Sequence, residues 1–590
     1  MLAGVLLCLG SAALAAEPAP ELTRRPNVVF ILADDLGYTD IESFGSEIRT
    51  PTISALAGQG VSFTNYHTAA SCAPARAMLM TGVNNHRAGV PNIPEMIPPE
   101  QGRHEHYQGT LSLNTVTVAR LLRDAGYHTY MAGKWHLGKT PDLLPGSRGF
   151  ERTVAMADSG ADNWEKKTYL PLFDKANWFA DGEEIELPED FYSSRYLVDR
   201  MIEFIDSNRN DGKPFFAYLP FLAVHMPVQA PQEFTDRYMG AYDGGWDELR
   251  RRRHENAVEL GIVPAGTDRV RMHTTGDWDA LSDDRKRYEA KRMAVYAGMV
   301  EAMDFHIGRL VQYLKDSGQY ENTVFIFTSD NGSEASGNAN PHGLAPRLSM
   351  RLLDYNNDYE TLGLKGSFNT ISPSFASASA SPLAYYKFYV GEGGMRVPLI
   401  IAGESLPLKQ QRSNAFSYAT DIVPTILELT GVSTPGGVYS GRRIEPVTGH
   451  SLVPLLDGSA DGVYSQDETI GYELAGSAVL FQGDYKIVLN RNAAGDHQWH
   501  LFDIVADPGE TRDLGGEMPA RLQRMLSLYD RYTRENGVLP PPPGYDPRRQ
   551  AVINGLRNRF GAGAVLFVLA LFAAPLVFIV YRLRRRRRLR

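Results

Sequence analysis

Cysteine is almost absent. The 590 residues hold two, Cys8 and Cys72, and Cys8 falls in an N-terminal apolar stretch that reads as a cleaved leader. A mature chain left with Cys72 alone forms no internal disulfide and builds no cysteine-rich zinc site. That cysteine is then an inert buried side chain, an intermolecular partner or a chemically used group. Positive charge is scarce too. The net charge is −9, and seven of the 60 Lys and Arg stand in Arg582 to Arg590, so the body of the chain is more acidic still. This argues against a nucleic-acid partner. There is no tandem repeat. With 43% hydrophobic and 22% charged residues, the chain is not a largely disordered one.

Both ends carry apolar runs. Val5 to Leu14, with Ala13-Leu14-Ala15 as small residues for cleavage, reads as a signal peptide over residues 1–16. No Lys or Arg precedes the run, and a buried N-terminal helix is the alternative. Residues 560–581 hold no charge and, at about 1.5 Å per residue, are long enough for a transmembrane helix. The basic tail 582–590 follows at once, so the positive-inside rule puts it in the cytoplasm and the rest on the periplasmic or extracytoplasmic side. The expected localisation is therefore membrane-anchored. A Pro-rich linker, residues 537–559 with Pro540 to Pro543, forms a stiff spacer before the anchor.

Between the ends, Asn27 to Ala33, Pro214 to Pro220, Thr323 to Thr328 and Val397 to Ala402 are short apolar runs without polar alternation. They read as strands buried on both faces. Helical patterns at Val116 to Ala125 and Met293 to Lys315 lie among them, with Gly126 as a C-cap. Alternating strands and helices predict an α/β fold: a large mixed, mostly parallel sheet sandwiched by helices, over residues 26–448. Residues 449–536 read differently. Glu468 to Leu474, Ser477 to Phe481, Tyr485 to Leu489 and Gln498 to Ile504 suit a small antiparallel-sheet subdomain, closed by a helix from Met518 to Glu535. Gly366 to Pro382, rich in Ser and Ala, reads as a loop. Arg250 to Arg253 with His254 reads as the solvated face of a helix.

In an open parallel sheet, ligands bind beyond the carboxyl ends of strands. Two of the strands run into oxygen ligands there: Asp34-Asp35 after the first, Asp330-Asn331 after Thr323 to Thr328. Three carboxylates and one amide oxygen suit calcium or magnesium, hard cations. Each pair alone is also an ordinary N-cap or turn. Cys72 stands at a loop-to-helix junction, two residues before Pro74 and one turn before Arg76. A helix N-terminus and Arg76 would favour an anion beside the thiol.

Cys72-Ala73-Pro74-Ala75-Arg76, followed by Leu79-Met80-Thr81-Gly82, resembles the signature of the formylglycine-dependent (type I) sulfatase family, in which that Cys is oxidised after translation. The likeness continues in order through residues 26 to 535. Pro26 to Gly37 resembles the opening strand with its calcium ligands. Ala132-Gly133-Lys134-Trp135-His136-Leu137-Gly138 resembles the second signature, Thr328 to Gly332 the closing calcium ligands, and Tyr386-Lys387 with Gly393 to Pro398 a segment bearing an active-site lysine. Trp499 to Leu514 resembles the C-terminal subdomain. Phe215 to Pro220 with His225, and Gly149 to Arg152, are especially like bacterial arylsulfatases. Ala73 and Ala75 depart from the pattern, where Ser or Thr is common.

The resemblance implies an alkaline-phosphatase-like sulfatase fold, a sulfate ester substrate on a small molecule or a glycan, and a maturation system that converts Cys72 to formylglycine. The hydrated aldehyde would attack sulfur through one hydroxyl, and the second would let the carbonyl reform and expel sulfate. Calcium, or magnesium, would be held by Asp34, Asp35, Asp330 and Asn331. Arg76, Lys134 and Lys387 would neutralise sulfate oxygens. His136 would hydrogen-bond the diol, and His225 would protonate the leaving oxygen. Lys365 competes with Lys387 for the second lysine. Alternatives are a phosphonate monoester or phosphodiester hydrolase on the same site, and a non-catalytic membrane-anchored binding protein. Substrate selectivity is expected in the loops Gly160 to Phe179, Met239 to Trp278 and Pro341 to Pro382.

Overall fold

A computed structural model describes residues 25–170, 173–335, 343, 348, 350–559 and 561. The chain order of strands is β1 (Asn27–Ala33), β2 (Gly60–Phe63), β3 (Tyr66–His67), β4 (His128–Lys134), β5 (Arg152–Met156), β6 (Trp178–Ala180), β7 (Glu183–Glu184), β8 (Phe215–Pro220), β9 (Thr323–Ser329), β10 (Leu399–Ala402), β11 (Gln411–Ser413) and β12 (Ser417–Tyr418). A hairpin, β13 (Val438–Tyr439) and β14 (Arg442–Arg443), follows, and then β15 (Thr469–Leu474), β16 (Ser477–Gln482), β17 (Tyr485–Leu489) and β18 (Trp499–Asp503).

Ten strands form one sheet in the order β11-β2-β10-β9-β1-β8-β4-β5-β6-β7. Its centre, β9-β1-β8-β4-β5, is parallel. Towards the flanks, β10 and β6 run antiparallel to their neighbours, so the sheet is mixed. The apolar run of β1 explains its central place. Val29, Ile31 and Ala33 pack into one hydrophobic layer, and Val28, Phe30 and Leu32 into the other. A strand without polar alternation has no face to give to water. The helices Ser193–Asn208 and Asp283–Asp316 cover the first face; Cys72–Thr81, Val118–Asp124 and Ile422–Leu429 cover the second.

The helix Asp283–Asp316 begins ten residues before the apolar periodicity does. Its first turns are charged, and its start is set by the Ser282 side chain, which accepts from Arg285 N, and by Asp283 and Asp284 at the positive end of the dipole. Within the expected loop Gly366 to Pro382 a helix forms, Pro373–Ser379. Ser372 caps it and Pro373 stands at N1, a start signal that the Ser and Ala composition masks. The Arg250 to Arg253 cluster is a solvated face only at Arg252 and at Arg251, which pairs with Glu248 and Glu255. Arg253 is fully buried and pairs with Asp40 and Glu47, while Arg250 donates to Val270 O and Ser377 Oγ.

The C-terminal sheet β15-β16-β17-β18 is antiparallel throughout. The helix Pro519–Glu535 packs Met525, Tyr529 and Tyr532 on one of its faces, and Tyr472, Val479 and Phe481 on the other join the main core. The segment expected to be a stiff spacer is docked on the main domain. Tyr107 Oη accepts from Leu539 N (2.8 Å) and donates to Leu539 O (3.2 Å), and residues 547–559 are helical, with Asn554 Nδ2 donating to Glu95 O and Ile97 O at 2.8 Å each.

The expected fold class needs one correction. The sandwiched sheet and the small antiparallel sheet are present, but no helix among the described residues is long and apolar enough to cross a membrane. The expected transmembrane span 560–581, Gly561 apart, the tail 582–590 and the leader 1–16 lie outside the described residues. The membrane-anchored localisation and the membrane partner, which rested on that span, are withdrawn with it.

Candidate active site

The sheet delivers its carboxylates from adjacent strand ends. β1 and β9 run level, Ala33 opposite Ser329, so Asp34-Asp35 and Asp330-Asn331 leave the sheet side by side. Asp330 N donates to Ala33 O (3.2 Å), and Asp35 N donates to Asp330 Oδ1 (3.2 Å). Gly332 makes the next turn possible: a Cβ there would stand 1.9 Å from Gly393 O. This close approach packs the Gly391 to Met395 turn, which follows Lys387, against the end of β9.

Cys72 is the first residue of its helix, with Ser71 extended as the N-cap. One ligand atom each from Asp34, Asp35, Cys72 and Asp330 falls within 4.8 Å of all the others, and all four residues are buried. Cys72 Sγ is 3.7 Å from Asp35 Oδ1. Asn331 completes the group: Nδ2 donates to Asp35 Oδ1 at 2.7 Å, and its buried Oδ1 has no hydrogen-bond partner among the described residues. Three convergent carboxylates and an orphaned amide oxygen fit a hard divalent cation.

Cations ring this group. Arg76 Nε donates to Asp330 Oδ2 (2.9 Å) and Nη1 to Lys134 O (2.7 Å). Lys134, the last residue of β4, puts Nζ 2.6 Å from Asp34 Oδ2. Lys387 Nζ lies 2.8 Å from Asp35 Oδ1 and 3.1 Å from Glu334. Lys365, its competitor, lies elsewhere, its half-exposed ammonium 3.9 Å from Glu165. His225 follows β8. Its Nδ1 donates to Met226 O at 2.6 Å, which leaves Nε2 facing Asp35 Oδ2 at 3.7 Å. His136, in the left-handed region at φ 56°, is buried, and neither ring nitrogen has a partner among the described residues.

Burial and charge divide these groups. Burial, with Asp330 and Asp35 adding to it, pushes the Asp34 carboxyl up to about 8 against the pull of Lys134 and Arg76. Asp35 is equally buried, yet Lys387, and more weakly Lys134, hold it well below the usual carboxylate range. Burial and then Lys134 push both His136 and His225 far down, so both are neutral in the free site. Burial also pushes the Cys72 thiol up, more than Lys134 and Lys387 pull it down. A thiol kept protonated is a poor nucleophile.

The structure thus brings together all ten residues expected from the sequence, Asp34, Asp35, Cys72, Arg76, Lys134, His136, His225, Asp330, Asn331 and Lys387. It adds Glu334, four residues beyond Asp330, and a wall beside His225 in which Ser159 and Tyr169 share a 2.7 Å hydrogen bond. No residue pattern marked Tyr169, beyond its place in the loop Gly160 to Phe179.

The model of the sulfatase family matches residues 26–432. An uncharacterized sulfatase of Schizosaccharomyces pombe is 36% identical over 539 residues, 89% of this chain and 96% of that protein. An arylsulfatase of Klebsiella aerogenes is 35% identical over 460 residues, covering 77% and 95%. Among solved structures, Ps i-CgsB in complex with a neocarrahexaose overlays with a TM-score of 0.62 at 24% identity, over 92% of this chain and all of that one. The match of the family model runs from the strand that precedes Asp34 through the segment carrying Lys387, and this chain belongs to the sulfatase family.

Proposed function

We propose that this sulfatase hydrolyses sulfate monoesters with residue 72, matured from cysteine to formylglycine, as its nucleophile, and with calcium held by Asp34, Asp35, Asp330 and Asn331. The carrying observation is the packing of Cys72 among three carboxylates within 4.8 Å, inside a ring of Arg76, Lys134 and Lys387. Charge counting supports the pairing of metal and ester. A bound divalent cation would keep Asp34 ionised against its burial; Asp34, Asp35, Asp330 and Glu334 then face three cations, which leaves one negative charge with both histidines neutral. A divalent cation and a monoanionic sulfate ester together bring this buried site to zero, the condition under which burial of charge costs least.

Bound calcium would polarise an ester oxygen and lower the pKa of a hydroxyl beside it. A formylglycine hydrate at position 72 supplies the second hydroxyl that a thiol lacks, so the sulfated residue can release sulfate and regain the aldehyde. Arg76, Lys134 and Lys387 hold sulfate oxygens and neutralise charge as it spreads. His136, whose two nitrogens have no partner among the described residues, hydrogen-bonds the diol. His225 presents Nε2 to the leaving oxygen; Nε2, beside the Asp35 carboxylate, takes up a proton from solvent before the attack and passes it to the departing alcohol. The arylsulfatase relative, and the neocarrahexaose in complex with the structural neighbour, favour aryl or glycan sulfates as the substrate class.

Mass spectrometry of the peptide spanning Ser71 to Arg76, from protein made in its own host, tests this. Aldehyde or its hydrate in place of the thiol is expected. An unmodified thiol in protein that hydrolyses sulfate esters at full rate overturns the proposal.

A further inference from the structure

A cleft of about 260 Å³ lies between the segment Leu113 to Thr117, the loop that carries Asp142 to Arg148, and the β13–β14 hairpin. None of the residues that line it belongs to the cluster around Cys72. Its floor is Arg148, 7% exposed. One terminal nitrogen, Nη2, donates to Ser112 O and Thr115 O, both at 3.0 Å. Nε and Nη1 have no hydrogen-bond acceptor, and the guanidinium has no carboxylate in ion-pair range, among the described residues.

A buried arginine in this state is unusual, because a charge taken out of water is ordinarily paired. Burial pulls Arg148 down to about 10; Asp142 opposes this and Arg442 adds to it. Those two face Arg148 from either wall. Arg442 is exposed on the hairpin and makes no ion pair among the described residues, and the third arginine of the cleft, Arg120, is already held by Asp124 at 2.8 Å. Ser147 and Ser440 add hydroxyls to the same walls. Ser440 and Gly441 both take positive φ in the hairpin turn, which sets Arg442 and its neighbours over the cleft.

We propose that this cleft binds an oxyanion, a sulfate or phosphate group either free or borne on a sugar, between Arg148 and Arg442. Two guanidinium groups line the one cleft, one buried and one exposed on a hairpin, and planar forks of this kind suit such anions. The anion supplies the countercharge that Arg148 lacks. The site is independent of the chemistry at residue 72, and would hold a second charged group of a polyanionic substrate or a separate anion.

Calorimetric titration of the whole protein with inorganic sulfate, inorganic phosphate and glucose 6-sulfate tests this. Wild type is expected to show a site with Kd of about 1 mM or tighter, weakened at least about tenfold by Arg442→Glu and retained in Lys134→Ala, which alters the strand-end site instead. Arg148→Lys keeps charge without the fork and should weaken it less than Arg442→Glu. Tighter binding of the sugar sulfate identifies a sugar-borne group; equal or tighter binding of the inorganic ions identifies a free one. Heats that Arg442→Glu leaves unchanged, or no binding at this concentration, overturn the proposal. Arg442 is on an exposed hairpin, so that variant reports binding and not loss of fold.

Discussion

Tyr169 stands against His225 with ring centroids 5.3 Å apart and planes at 81°. Ser159 fixes the tyrosine hydroxyl, and Gly160 leaves no room beside the imidazole: a Cβ there would fall 2.9 Å from its ring. With Nδ1 tied to Met226 O, the histidine is held on three sides and can act only through Nε2. If Nε2 protonates the leaving oxygen, His225→Ala should lower kcat about 10²- to 10⁴-fold for alkyl sulfates. It should cost far less for 4-nitrophenyl sulfate, whose leaving group needs no proton. Tyr169→Ala should show the same leaving-group dependence, weaker, and Tyr169→Phe, which keeps the ring, weaker again. Equal losses on both esters would remove His225 from the role of acid and Tyr169 from that of its support.

Metal removal should separate the ligands from their neighbours. Chelation is expected to abolish hydrolysis and to lower the unfolding midpoint, and calcium should restore both. At calcium about 100-fold above Kd, the bound ion stabilises by about 2.7 kcal/mol. Asn331→Ala deletes the amide oxygen and leaves all three carboxylates, so affinity should fall about tenfold or more without loss of the fold. Unchanged calcium affinity in that variant, measured by titration with the folded protein, would take Asn331 out of the ligand set.

The parts of this site legible in the sequence are those that one strand carries in one direction. Asn27 to Ala33 and Thr323 to Ser329 are continuous apolar runs, and each ends in its ligands, so strand and site were read together. β4 was not recognised as a strand, because His128, Gly133 and Lys134 interrupt its apolar run, although burial covers all but its first residue. Arg253 misled for the opposite reason. A run of arginines normally faces water, and only the fold brings Asp40 and Glu47 beside it. The choice of Lys387 over Lys365 rested on the Gly393-Gly394 interval, and its physical basis is the close approach of Gly332 to Gly393 O. Glu334 and Tyr169 had no such interval to mark them.

His306, in the helix Asp283–Asp316, gives a pH dependence away from the active site. Burial, reinforced by Arg309 and Arg195, lowers it from the ordinary 6.5 to about 4. Tyr192 and Phe305 pack around it, and Arg309 Nη1 comes within 3.3 Å of Nδ1. The unfolded chain therefore takes up a proton at a higher pH than the folded one, and the contribution to stability is full above pH 6.5 and falls as the pH drops towards 4, by at most about 3 kcal/mol. His306→Gln should gain about 2 kcal/mol on wild type between pH 7 and 5. Parallel urea midpoints of the two proteins across that interval would contradict this.

The docking of residues 537–559 predicts a further stability effect. Leu539 exchanges two hydrogen bonds with Tyr107, Gln101 donates to Pro540 O (3.0 Å) and Tyr545 to Met96 O (2.7 Å), and Asn554 bridges Glu95 O and Ile97 O. Glu95 extends from that loop towards Lys139 and Lys134, with its carboxyl pushed up by burial first and then by Asp158, against those two lysines. Removing either polar anchor strands its partners. Tyr107→Phe and Asn554→Ala should each cost about 1–3 kcal/mol in the segment's docking. Limited trypsin digestion reads this locally: Arg548, Arg549 and Arg557 should resist cleavage in wild type and become early sites in both variants. Equally rapid cutting at Arg548 in wild type would mean that the segment is a free spacer, as its prolines alone suggest, and that the loop bearing Glu95 is supported by the catalytic domain alone.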